Sequence, residues 1–212
     1  MSTHEGEALR KSYVATLALA CFCIASRAPA APTEALLAVR GGQAKVNALA
    51  CDAAKAAFLH EMGMASQDRP VVIGKLQSNF ARHYRPDALR NPATAEHGGW
   101  SVAPPSLESV QALQAGRDED PWEVCPGFAQ VTAEHGVKRR APDTRQKLRN
   151  NGDYVSIILS MSLPVVNPSG TEALMTVESI YAPEAGGQKL VLLRRSGNGA
   201  WRVVGSVLTA IS

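Results

Sequence analysis

The last third of the chain constrains the fold most. Tyr154 to Leu163 alternates, with Val155, Ile157, Leu159, Met161 and Leu163 on one face and Tyr154, Ser156, Ile158, Ser160 and Ser162 on the other. A period of two is the pattern of a strand. Asn167-Pro168-Ser169-Gly170 is a turn sequence. Glu172 to Ala182 alternates again, setting Ala173, Met175, Val177, Ser179 and Tyr181 opposite Leu174, Thr176, Glu178 and Ile180. Pro183 to Gly187 reads as a loop and Lys189 to Arg195 as a third strand. Ser196-Gly197-Asn198-Gly199 reads as a hairpin turn. Trp201 to Leu208 is the fourth strand, with Gly205 a bulge or kink. Four sequential strands with short connections predict an antiparallel meander.

One face of that meander is apolar and needs a cover. Residues 31–116 supply helical patterns. Thr33 caps a short helix over Glu34 to Arg40, and Gly41-Gly42 interrupts it. Val46, Leu49, Ala50, Ala53, Ala57 and Phe58 then form an apolar stripe. Asp68 caps a second helix carrying Ile73, Leu76, Phe80 and Tyr84, which Pro86 ends. A third starts at the cap Ser106, carries Leu107, Val110 and Leu113, and stops at Gly116. The expected fold class is therefore α+β, with N-terminal helices packed on a four-stranded antiparallel β-meander. Residues 117–153 form an irregular charged segment between the two parts of one domain, 31–212.

The N-terminus reads as a leader. Arg10 and Lys11 precede the apolar run from Tyr13 to Ala25, and Ala28-Pro29-Ala30-Ala31 follows. That order is the order of a secretory signal peptide, here residues 1–30. The run falls short of the roughly 20 residues a spanning helix needs, so no transmembrane segment is expected. A buried N-terminal helix and lipid attachment at Cys21 are the alternatives. Export to the periplasm or beyond leaves Cys51 and Cys125, an even pair in an oxidising compartment and a candidate disulfide. Two buried free thiols are the other reading.

Composition narrows function by exclusion. Net charge is +3, with 22 basic and 19 acidic residues, and aromatics make up 5%. Neither strong positive charge nor a base-stacking platform is present, so nucleic acid is not an expected partner. The sequence lacks a Gly-x-Ser-x-Gly elbow, a phosphate-binding loop and a cysteine-rich zinc pattern. His60-Glu61 has no second histidine at metalloprotease spacing. His60, His83, His97 and His135 each stand alone in the sequence and read as surface or hydrogen-bonded histidines, the alternative being that they meet in space as ligands or a general base. Asp118-Glu119-Asp120 reads as a solvated acidic loop. No cofactor and no metal are expected.

Two features carry candidate function. Lys138, Arg139, Arg140, Arg145, Lys147 and Arg149 cluster with Asp143 as the only acid among them. Such a cluster suits an acidic protein partner, a phosphate or anionic head groups, or else guards a strand edge. Glu178 lies mid-strand, where a carboxylate acts as a general base if the sheet face is concave and dry. On the solvent face of a sheet it needs no special role. Trp100, Trp122 and Phe128 either plug the end of the core or expose a patch.

The C-terminal run also carries a resemblance. Ser160, Gly170, Ala173, Leu174, Asn198, Gly199, Trp201 and Ser212 match the C-terminal meander of a group of exported bacterial proteins of uncharacterised function, across residues 154–212. Members often place Gly and Cys between the second and third strands, where this chain has Pro183 to Gly187 and no cysteine. The hairpin also resembles that of nuclear-transport-factor-like domains, whose helices pack into a curved sheet. That likeness implies a pocket between helices and sheet, with an acid–base residue at a position such as Glu178. The preferred expectation is an exported, non-enzymatic binding module, a protein-interaction, inhibitor or immunity-type factor working through residues 118–149. The alternative is a transport-factor-like pocket protein with small-molecule binding or acid–base catalysis.

Overall fold

The computed structural model describes residues 32–65, 69–92, 99–140, 147–149 and 152–211, with side chains from residue 48 onward. The candidate leader, Asp68, His97 and Arg145 lie outside the described residues. The fold is α+β, built on one mixed, mostly antiparallel sheet of seven strands. The strands are β1 (Val71–Ile73), β2 (Lys138–Arg139), β3 (Ile157–Met161), β4 (Val165–Val166), β5 (Glu172–Ala182), β6 (Ala185–Arg195) and β7 (Trp201–Ile211). Their order is β2-β1-β3-β5-β6-β7, with β4 pairing β5 beyond the end of β3. The four expected strands are β3, β5, β6 and β7, paired antiparallel in sequence order. Three short strands extend that expectation. β1 lies parallel to β3, and β2 parallel to β1.

Two strands run longer than their alternation indicated. Pro183 and Glu184 alone turn the chain from β5 into β6, so Gly186 and Gly187 are paired strand residues, opposite Ile180 and Ser179. β7 continues to Ile211 and shifts register twice against β6. One shift falls beside Gly205, where an added Cβ would meet Val102 at 3.2 Å and Trp100 at 3.4 Å.

The helices are α1 (Pro32–Met64), α2 (Pro86–Arg90), α3 (Leu107–Ala115), α4 (Pro121–Val124) and α5 (Phe128–Glu134), with a 3-10 turn at Phe80–His83. α1 runs unbroken through Gly41-Gly42, contrary to expectation. A glycine inside a helix costs about 1 kcal/mol relative to alanine, too little to break a long Ala- and Leu-rich helix. The helix expected between Asp68 and Pro86 is absent. Val71-Val72-Ile73 is a β-branched run, and it gains a strand partner in β3. Pro86 begins α2 instead of ending a helix, because proline suits the first helical position. α3 is as expected: the Ser106 hydroxyl accepts from the Ser109 amide at 3.2 Å, and Gly116 ends the helix.

Both faces of the sheet are covered, a correction to the one-sided meander. On one face Ala50, Ala53, Ala54, Ala57 and Phe58 of α1 pack with Phe128, Met161, Met175, Val191, Leu193 and Trp201. On the other, Ala81, Leu89, Val110 and Leu113 pack on Leu174, Leu190, Leu192 and Val207. The helices thus flank the sheet in three layers. Thr176, expected on a solvent face, is fully buried and donates to Asn79 Oδ1 at 2.7 Å. Cys51 and Cys125 are disulfide-bonded, with Cα atoms 5.3 Å apart, and join α1 to the end of α4. Among the described residues no helix is long and apolar enough to cross a membrane.

Candidate functional site

A cleft of about 880 Å³ opens where the second face of the sheet escapes its helical cover. Its floor is a four-residue patch across β3 and β5, with Ile158 opposite Ile180 and Ser160 opposite Glu178. The segment Gly74 to Gln77 forms one wall, and Glu123, Arg139 and Arg140 form another.

The local sequence explains the shape. After β1 the chain must cross onto the sheet, and only glycine fits at the crossing. A Cβ on Gly74 would lie 2.6 Å from Ile158 Cγ2 and 2.9 Å from Ser160 Oγ. The crossing segment is then tied down by Gln188. Its Nε2 donates to the Ser78 carbonyl at 2.7 Å and to Glu178 Oε1 at 3.1 Å, while its Oε1 accepts from the Phe80 amide at 3.0 Å. Glu178 is therefore half-buried and oriented by an amide. It does not stand bare in solvent.

The cationic wall is partly neutralised within the protein. Arg139 Nη2 donates to Glu123 Oε1 at 2.7 Å and to Asp120 Oδ2 at 3.0 Å. Burial pushes the Asp120 carboxyl up, and the Trp122 amide and Arg139 only partly offset it. Glu123 is held below its ordinary range, chiefly by the hydrogen bond from Arg139. Asp118-Glu119-Asp120 is accordingly no free acidic loop. Asp118 pairs with Arg82 at 2.9 Å, the Glu119 carbonyl accepts from the Leu163 amide at 2.6 Å, and Asp120 caps α4 through the Trp122 amide at 2.9 Å. These bonds also bring structure to the stretch expected to be irregular.

Of the six cationic candidates, Arg139 and Arg140 line the cleft. Lys138 is exposed on the edge strand β2. Lys147 and Arg149 flank Leu148, which bridges Tyr154 away from the cleft lining. The described histidines do not converge: among the described residues no group of three metal-ligating side chains forms. His135 packs edge-on against Phe58. Phe128 belongs to the first core cluster and Trp122 packs against it, while Trp100 packs on the second, donating to the Leu89 carbonyl at 2.8 Å. They plug the core.

Nothing in the local sequence marks Lys75 and Gln77 as site residues, because the pattern around them reads as a helix. The signal that finds them is Val71-Val72-Ile73 followed by Gly74, a strand running into a close crossing. No family model, curated protein or solved structure matches the chain.

Proposed function

We propose that the protein is an exported binding module and that the cleft over β3 and β5 is its recognition surface. The supporting observation is convergence. Three segments far apart in sequence, Gly74 to Gln77, Glu123 to Arg140 and Ile158 to Ile180, border one cavity. Two of them hold the sequence features singled out for function, the basic cluster and Glu178. The disulfide is compatible with an oxidising, exported location.

The occupant we propose is a segment of a partner protein bearing acidic side chains. Its apolar side chains would rest on Ile158 and Ile180, and its carboxylates would meet Lys75 of the cleft wall and Lys138, exposed on β2. Glu178, already accepting from Gln188, sets the register by taking a donor from the partner. On this reading Glu178 is a binding group and not a general base.

The test is site-directed photo-crosslinking in envelope extract. A crosslinker at Gln77, in the cleft wall, is expected to capture the same partner as one at Lys138. A crosslinker at Asn198, in the distant hairpin, is expected to miss it. The double variant Lys75→Glu, Lys138→Glu is expected to abolish capture. Unchanged capture in that variant removes the cleft from consideration. Intact mass of the mature chain reports leader removal and the cysteine state in the same preparation.

A further inference from the structure

A second cavity lies directly behind the cleft. Odd-numbered residues of β3 and β5 point to the opposite face of the sheet from the cleft floor. There Ile157, Leu159, Ser179 and Tyr181, with Val71 of β1, line a cavity of about 250 Å³ closed on its other side by the last turns of α1. Met62 is half-buried in its wall, while Met64 at 73% and Tyr181 at 42% exposure sit at its mouth. The cavity is therefore open to solvent at one end and apolar within.

Its charged element is an ion pair. Lys189 Nζ lies 2.7 Å from Glu61 Oε2. Glu61 is only 7% exposed, and its other oxygen, Oε1, is buried without a hydrogen-bond donor among the described residues. A buried carboxylate oxygen left unsatisfied is costly, so such atoms in folded proteins are normally partnered. The pair is already neutral as a whole. A ligand carboxylate would be repelled by Glu61, and a ligand ammonium would leave an uncompensated positive charge beside Lys189. A neutral hydroxyl donates to Oε1 and adds no charge.

We infer that this cavity binds a small neutral amphiphile, an apolar body carrying one hydroxyl, with the hydroxyl hydrogen-bonded to Glu61 and the body against Met62, Val71, Ile157 and Leu159. A dry cavity of about 150 Å³ accommodates benzene, so the present one suits a body of about ten non-hydrogen atoms. The inference is independent of the cleft on the other face.

The test uses the full chain with methyl-labelled methionine, titrated with 1-octanol and followed by NMR. Met62 and Met64 line the cavity, whereas Met161 and Met175 are buried in the core. Saturable shifts of the Met62 and Met64 methyls are expected, with Met161 and Met175 shifting less. Octanoate and octylamine are expected to bind at least about tenfold more weakly, the worth of one hydrogen bond to a charged group. Glu61→Gln is expected to weaken octanol by a similar factor. Ser179→Leu fills the cavity and leaves the ion pair intact, and it is expected to abolish the shifts in a chain that still folds. Equal shifts of all four methionines, tighter binding of either charged probe, or unchanged binding in Ser179→Leu each overturns the inference.

Discussion

Glu172 and Arg194 face each other across β5 and β6, with Arg194 Nε 3.2 Å from Glu172 Oε2. The other carboxylate oxygen accepts from the Ser106 amide at 2.8 Å, so one buried glutamate ties the sheet to the first turn of α3. Burial alone would raise this carboxyl. The Ser106 amide, the Ser109 and Ser106 hydroxyls and Arg194 outweigh it and hold the group below its ordinary range. The sign of the linkage follows. Stability from Glu172 is complete above the ordinary glutamate pKa and is lost as pH falls through the lower folded value. Glu172→Gln is expected to cost about 1–3 kcal/mol near neutrality. It is also expected to flatten the decline in stability below about pH 4, where the ordinary glutamate range lies. Urea midpoints at a series of acid pH values test this. A variant that declines as steeply as the parent contradicts it.

Cys51 and Cys125 close a loop with a sequence separation of 74. In the chain-entropy model a loop of that length is worth about 4 kcal/mol. The bridge holds α1 against the segment that carries α4 and α5, beside the cleft wall. The double variant Cys51→Ala, Cys125→Ala is expected to lose about 2–5 kcal/mol, and reductant is expected to destabilise the parent but leave the variant unchanged. Denaturant melts with and without reductant decide it. Equal sensitivity of both proteins would show that the bridge is not the source.

The strands were legible because they alternate and because their turns carry Asn, Pro and Gly, as at Asn167 to Gly170. The third helix was legible because Ser106 and Gly116 mark both ends. Val71 to Ile73 was not, because a three-residue strand gives too short a pattern to separate from a helix. Its identity depends on β3, more than eighty residues away. Nor was the second buried face: Thr176 is fully buried only because Asn79 meets it.

The sites divide in the same way. The basic cluster and Glu178 were visible as charges, but nothing local indicated that β1 would bring them together. Glu61 did leave a trace. It follows Ala57 by four positions and Phe58 by three, which puts a carboxylate on the apolar stripe of α1. A charge on a buried stripe implies a partner, and Lys189, next to the apolar run Leu190 to Leu193, is the matching half.

Gly74 is the point where backbone sterics shape the cleft. An alanine there would press its Cβ to 2.6 Å from Ile158 Cγ2, a branched atom close to the backbone that cannot swing away. Gly74→Ala is expected to cost about 1–3 kcal/mol, the usual range for overpacking. Because the strain falls on β1, amide exchange is expected to accelerate at Val72 and Ile73 more than in β6. Uniform acceleration across the sheet would place the damage elsewhere.

Arg139 anchors the two-residue edge strand β2 through carboxylates of α4 and its cap, and its removal makes a pH-dependent prediction. Asp120 is raised by burial, so its ionised form is disfavoured, and the Trp122 amide and, after it, Arg139 partly offset that cost. A raised carboxyl contributes stability while protonated and loses it as pH rises through the folded value. Arg139→Ala removes its share of the offset. Near neutrality the variant is expected to be less stable by about 1 kcal/mol, a figure already discounted for solvent screening of the exposed guanidinium. As pH falls and Asp120 takes up its proton, the deficit between variant and parent is expected to shrink. Paired urea melts at about pH 7 and about pH 3.5, below the ordinary aspartate range, measure that difference. A deficit of the same size at both values would mean that Arg139 supports β2 through Glu123 or by packing, and not through the charge on Asp120.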